Sequence, residues 1–260
     1  MIPSGSPQKS TLAESLGVPR AQYPLREITP HPTVLWAHSG LPLHLSEPYR
    51  LLRTRLLQHP LRHSSLVVTS SCPSDGKSMV STNLAGVMAL RGQRILLIDC
   101  DLRRSKLSTL LGVRAQFGLT SLAHGASPED MIFTVSQLPN LSVLLAGTLT
   151  DTPVELLDSP EFASLMQRLR GDFDYLVIDS PPVLNLADFP ILERLSDATI
   201  FVVRPGSTEL SALGEALATL DADKFLGTVI NQNVEWWLWK SSSYYQYYKS
   251  YSASASEHSK

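Results

Sequence analysis

The sequence is short of several things, and each scarcity removes a class of protein. It has two cysteines, Cys72 and Cys100, too few for a disulfide framework and not spaced for zinc. No apolar run reaches the roughly 18 residues a membrane-crossing helix needs. The opening residues, MIPSGSPQKS, lack the apolar core of a signal peptide. A reducing cytoplasm is therefore the expected compartment. Charge of one sign is also missing: the net charge is −2, so no global basic field draws in nucleic acid or anionic lipid.

What is present fits a globular enzyme. The 260 residues are 43% apolar and 18% charged, enough for one large α/β domain with flanking segments. Residues 1–45 are rich in Pro, Ser, Gln and His and read as a flexible leader. SEPYRLLRTRLLQHP then predicts a short helix, with Ser46 as N-cap and Leu51, Leu52, Leu56 and Leu57 as its apolar stripe. From there the chain alternates. Strands are expected at 65–70, 94–99, 141–147, 175–179, 198–203 and 226–231, and helices at 77–92, 153–171 (one or two) and 210–221. Continuous apolar strands separated by helices imply a doubly wound, mostly parallel sheet covered on both faces. The compact domain is expected to span 46–235, with a tail over 236–260.

The first strand runs into SCPSDGKS and then a helix. Gly76-Lys77-Ser78 fits the end of a phosphate-binding loop. Backbone N–H groups at a helix N-terminus cradle phosphate oxygens, Lys77 reaches the β- and γ-phosphates as a point charge, and the Ser78 hydroxyl suits Mg²⁺. Two further strands end in carboxylates: ILLIDCDLR brings Asp99 and Asp101, and YLVIDSPP brings Asp179. Open parallel sheets bind ligands beyond the carboxyl ends of their strands, which would put all three aspartates on the edge of the phosphate loop. One such aspartate would read as an ordinary turn cap. Three beside the loop point to a nucleotide site.

These motifs, in this order and separation, resemble those of the bacterial tyrosine kinases, autokinases of capsule and exopolysaccharide export. SSCPSDGKS, ILLIDCDLR and YLVIDSPP match the Walker A, A′ and B motifs of that P-loop, MinD/ParA-like fold. Glu47, Arg50 and Arg53 in EPYRLLR match the family's ring-assembly helix, and the resemblance extends from 46 to 251. It implies that Ser71, Pro73, Ser74, Asp75, Gly76, Lys77, Ser78 and Met79 bind ATP, and that Ser78, Asp101 and Asp179 hold Mg²⁺. It implies catalytic roles for Lys77, for Asp99 as proton acceptor and for Asp101, which also positions metal or substrate. The tyrosine-rich stretch SSSYYQYYKSY then becomes the substrate, with Tyr244, Tyr245, Tyr247, Tyr248 and Tyr251 as autophosphorylation sites. The implied partners are other copies in a ring, a transmembrane activator or co-polymerase of a polysaccharide export system, and a phosphotyrosine phosphatase. They would recruit the chain to the cytoplasmic face of the inner membrane; no nucleic acid is implied.

The chain departs from the family at Ser74, where glycine is usual; a Cβ there restricts the loop if φ is positive. Ser71 also replaces the loop's first glycine. Two other readings stay open. A ParA/MinD-type switch ATPase shares the fold, but would carry a lysine near Cys72 and a basic terminal helix or surface. A non-catalytic nucleotide-binding adaptor is compatible with Ser71 and Ser74. Arg103 and Arg104 face either phosphates or solvent, and WWLWK at 236–240 packs on the domain or meets a partner.

Overall fold

The apolar runs at 65–70, 95–99 and 175–179 have nearly every residue buried, and they form the middle of one sheet. The computed structural model of the protein describes residues 22–37, 43–61, 63–114, 117–184 and 186–232. Within them the strands are β1 (Leu25–Arg26), β2 (Ser65–Ser70), β3 (Ile95–Asp99), β4 (Ile132–Val135), β5 (Leu141–Leu144), β6 (Tyr175–Asp179), β7 (Ala198–Val203) and β8 (Phe225–Ile230). Their order across the sheet is β1-β4-β5-β3-β6-β2-β7-β8. All pairs are parallel except β4 with β5. Central parallel strands have both faces covered, which is why these run as unbroken Val, Ile and Leu rather than alternating with polar residues.

The helices are α1 (Leu43–Gln58), α2 (Lys77–Ala89), α3 (Leu107–Leu111), α4 (Pro128–Met131), α5 (Pro153–Leu157), α6 (Pro160–Asp172), α7 (Asp188–Arg194) and α8 (Leu210–Ala218). They lie on both faces and divide the core in two. One half centres on α2, with Leu84, Ala85 and Met88 against Leu66, Val68 and Leu97. The other sets Phe162, Leu165 and Leu169 of α6 and Phe189 of α7 against Val67, Ile98 and Ile178. Alternate residues of one strand therefore feed opposite cores. Burying one such side chain contributes roughly 1.5–3 kcal/mol, so this double coverage is what holds the sheet centre rigid beneath the site.

Several expectations shift. Of the one or two helices expected at 153–171 there are two, divided before Pro160, where Ser159 caps α6 by accepting the Phe162 N–H at 3.1 Å. α1 begins at Leu43, a turn before the expected cap Ser46, and contains Pro48. In its expected apolar stripe, Leu56 is buried and Leu52 packs inward, while Leu51 and Leu57 are about half exposed.

The flexible leader expected over 1–45 is corrected at 22–37. Tyr23 is buried, stacks on Phe173 with ring centroids 5.7 Å apart, and donates its hydroxyl to Asp172 at 3.2 Å. β1 joins the sheet beside β4. Farther along, Asn83 of α2 accepts the Leu35 N–H at 2.7 Å and donates to the Thr33 carbonyl at 2.9 Å. The Trp36 indole donates to the Thr82 carbonyl at 3.0 Å and covers Gly86 so closely that any side chain there would collide with it. The segment docks through buried Tyr23, Ile28 and Val34, the Trp36 indole and hydrogen bonds to its backbone, all with partners distant in sequence that local periodicity does not register. Residues 1–21, the WWLWK segment and the tyrosine-rich tail lie outside the described residues. Among the described residues no helix is long and apolar enough to cross a membrane.

Candidate active site

β3, β6 and β2 are neighbours, so their carboxyl ends deliver three turns to one place. In the register Asp99 faces Asp179 across β3 and β6, and Val68 of β2 faces Asp179 from the other side. The Cys100 N–H donates to the Asp179 carbonyl at 2.8 Å, which ties the two strand ends together. β2 opens into the phosphate loop, and α2 begins at Lys77, so the expected loop, lysine and carboxylates share one sheet edge.

Two residues of the loop have positive φ: Ser74 at 71° and Gly76, the α2 N-cap, at 98°. The conformation that disfavours a Cβ is therefore present at Ser74. Asp75 between them is fully buried. Lys77 is buried, Ser78 and Met79 are half-buried, and Pro73 and Ser74 are exposed. The Ser71 hydroxyl is buried without a hydrogen-bond partner among the described residues. All the expected loop residues lie between the end of β2 and the first turn of α2.

The carboxylates differ in how they are satisfied. Asp99 accepts the Ser105 hydroxyl at 2.5 Å on Oδ2 and the Asp101 N–H at 3.2 Å on Oδ1. Burial, and then the negative charge of Asp179, push its pKa well above the usual carboxylate range. Asp179 is fully buried, and its pKa is pushed up to about 7, chiefly by burial. The Ser78 hydroxyl and the Lys77 ammonium pull it back down, and Ser81 donates to Oδ1 at 3.3 Å. Oδ2 has no hydrogen-bond partner among the described residues. Asp101 is half-buried and accepts the Arg104 N–H at 2.9 Å. Arg103 turns to the buried Asp188, with Nε 3.3 Å from Oδ1 and Nη2 3.4 Å from Oδ2, so it serves the fold beside the site.

A divalent cation fits this arrangement. A buried carboxylate oxygen without a partner among the described residues, beside a serine hydroxyl and a second carboxyl of raised pKa, is an environment a cation relieves. The described residues hold no group of three or more His, Cys, Asp or Glu able to cage a metal by themselves. That suits Mg²⁺, which keeps waters and takes phosphate oxygens alongside one or two carboxylates.

The sequence reading missed the groups that hold the loop from outside. Thr208, in the turn after β7, donates to Asp75 Oδ1 at 3.0 Å, and Asn231, after β8, donates to the Asp75 carbonyl at 2.8 Å. They stand 133 and 156 residues from Asp75, and no local pattern marks them. The proposed assembly helix divides. Glu47 and Arg50 form an exposed pair at 3.4 Å, while Arg53 donates to the Val87 carbonyl of α2 at 3.2 Å. A cavity of about 440 Å³ lies away from the loop, along β1 and β4.

Residues 74–234 match the family described as AAA domain. Over 191 residues the chain is 35% identical to tyrosine-protein kinase YwqD of Bacillus subtilis, covering 72% of this chain and 80% of that one. It is 34% identical to tyrosine-protein kinase ptk of Acinetobacter johnsonii over 58% of this chain, but only 21% of that longer protein. Among solved structures, the chimerical protein CapA2B2 superposes with a TM-score of 0.72 at 26% identity, covering 86% of this chain and 98% of that one. The septum site-determining protein MinD from Pyrococcus horikoshii, complexed with Mg-ADP, superposes with a TM-score of 0.56 at 25% identity, covering 66% and 71%. The fold is that of nucleotide-binding P-loop ATPases.

Proposed function

This chain belongs to the bacterial tyrosine-protein kinase family, and from that premise we propose that it transfers the γ-phosphoryl group of ATP to the tyrosines of its own tail, in trans within an oligomer. The observation that carries the reading is the single edge shared by the left-handed loop, Lys77, Ser78 and the opposed carboxylates Asp99 and Asp179.

The residues divide the work. The loop N–H groups and the α2 N-terminus attract phosphate, and Lys77 adds a fixed positive charge in a water-poor setting, where it acts more strongly. Ser78, Asp101 and Asp179 would hold Mg²⁺, with the free Oδ2 of Asp179 as the donor most in need of a cation. Bound ATP·Mg²⁺ supplies the phosphoryl group and offsets the charge that develops as it leaves. Asp99 takes the proton of the tyrosine hydroxyl as that oxygen accepts the phosphoryl group and ADP departs. A phenol near pKa 10 holds its proton at neutral pH, and in its ionised form Asp99, with its raised pKa, is a stronger acceptor than a surface carboxylate. Phosphoryl transfer asks for little beyond such positioning and neutralisation.

The acceptors are Tyr244, Tyr245, Tyr247, Tyr248 and Tyr251, in the tail outside the described residues. The face of α1 carrying Glu47 and Arg50, steadied by Arg53 on α2, is the proposed contact between copies in a ring, a head-to-tail arrangement that closes. A transmembrane activator of a polysaccharide export system and a phosphatase complete the reading, which places the chain at the inner membrane. The switch-ATPase alternative is disfavoured by Cys72, which supplies no charge. The positive φ of Ser74 is the one observation that favours a non-catalytic adaptor.

Mixing two full-length copies tests the transfer in trans. One carries Lys77→Met with its tail intact; the other is wild type at the site, with the five tail tyrosines changed to phenylalanine. Phosphotyrosine is expected on the Lys77→Met copy. Its absence, with a wild-type control active, would overturn transfer between copies.

A further inference from the structure

The phosphate loop is fastened by parts of the chain that come much later in the sequence. Asp75 receives three hydrogen bonds: from the Thr208 hydroxyl to Oδ1, from the Cys72 N–H to Oδ2 at 3.3 Å, and from the Asn231 amide to its carbonyl. Thr208 is itself aimed, because its hydroxyl accepts the Arg204 N–H at 3.2 Å. Arg204 also reaches back to the Ser74 carbonyl at 3.4 Å. Asn231 is buried, and its amide fills the space beside Gly76 so completely that any side chain at 76 would collide with it.

The residues on either side of Asp75 are the two left-handed ones. Such alternation turns successive N–H groups inward as an anion-binding concavity. Glycine adopts this conformation freely; a serine at 74 resists it and drifts back unless something outside restrains it. The hydrogen bonds to Asp75, the next residue, provide that restraint from two directions, and the one from Arg204 grips Ser74 itself.

We infer that Thr208 and Asn231 are positioning residues for the nucleotide: by fixing Asp75 they keep Ser74 left-handed and the loop's N–H groups aimed before phosphate arrives. The inference deepens the reading of this loop as a nucleotide site and rests on it. Neither residue needs to touch the phosphates. The turn after β7 and the end of β8 thereby become part of the affinity for nucleotide, although both are remote from the loop in sequence.

The test is titration of the full-length protein with a fluorescently labelled ADP in Mg²⁺, together with the KM for ATP and kcat of tail phosphorylation. Thr208 is half-buried in a surface turn, so Thr208→Val is expected to fold. It should weaken binding about tenfold, the loss of one hydrogen bond to a buried charged group, and raise KM while kcat at saturating ATP stays within about twofold. Thr208→Ser should restore affinity. Ser74→Gly in the Thr208→Val background should also restore it, because a glycine no longer needs holding; a merely structural role for Thr208 would not be rescued there. Asn231→Ala, with unfolding midpoints measured for every variant, provides an independent arm with the same expected direction. Wild-type affinity in Thr208→Val, or no recovery with Ser74→Gly, would overturn the inference. A wild-type chain that does not bind the probe would overturn the nucleotide reading itself.

Discussion

The phosphate loop and the facing carboxylates meet in one cleft and are built in opposite ways. In the loop, both carboxylate oxygens and the carbonyl of Asp75 have partners, and among the described residues the Ser71 hydroxyl is a buried side-chain group of the loop without one. Opposite the loop, Asp99 and Asp179 are driven together by strand register, both have raised pKa values, and Asp179 Oδ2 has no partner among the described residues. One half is held by its own hydrogen bonds; the other would be relieved by the cation proposed above. Preorganisation of the loop lowers the cost of binding, and a cation held by the carboxylates would add to stability.

The largest expected effect separates the two halves. Asp179→Asn should lower tyrosine phosphorylation by about a hundredfold or more, because it removes the donor that most needs Mg²⁺. The same change should stabilise the nucleotide-free protein. The folded chain holds a proton on Asp179 up to about pH 7, whereas the unfolded chain releases it near the ordinary carboxylate value. The carboxyl therefore costs nothing below about pH 4, and stability is lost progressively as pH rises toward 7, by on the order of a few kcal/mol. Thermal unfolding across this range should slope downward with pH in the wild type and less steeply in Asp179→Asn, where buried Asp99 still contributes. A slope unchanged by the substitution would remove the contrast between the halves.

Next in size is the loop itself. Asp75→Ala leaves Thr208, Cys72 N–H and their neighbours without a buried acceptor and should cost roughly 1–3 kcal/mol in urea unfolding. An effect near zero would mean the loop is not held as described.

At the opposite end of the sheet, Asp197 is a useful contrast with Asp179. It accepts hydrogen bonds from Ser64, Ser65 and Arg170, and its pKa is lowered to about 2. Burial raises that pKa, and the Ser64 N–H followed by Arg170 outweighs it. Its stabilisation is present above about pH 4 and is lost as pH falls through 2. Asp197 is partly exposed, so after screening Asp197→Asn should cost only about 1 kcal/mol at neutral pH, and that loss should vanish in strong acid. Smallest of all, Ser74→Gly alone should change stability by about 0.5 kcal/mol or less, since relief of the left-handed serine is offset by the freer unfolded chain.

The contrast was half legible in the sequence. β2, β3 and β6 are continuous apolar runs, and each ends in its motif, so the convergence of Lys77, Asp99 and Asp179 follows from parallel topology. The raised pKa values needed the register and the burial, which no single strand encodes. Thr208, Arg204 and Asn231 were unreadable as loop supports because their partner is more than a hundred residues away. The docking of 22–37 was hidden for a related reason: Tyr23, Leu35 and Trp36 act on partners brought near only by folding.

The central claim is that this edge of the sheet phosphorylates the chain's own tail. Purified wild-type and Lys77→Met proteins, incubated with ATP·Mg²⁺ alone and with a candidate activator, should be mapped for phosphotyrosine by mass spectrometry. The account predicts phosphate on Tyr244, Tyr245, Tyr247, Tyr248 or Tyr251 in the wild type and none in Lys77→Met. Tail phosphate that persists in Lys77→Met, or a wild type that stays unmodified under every condition, would contradict it.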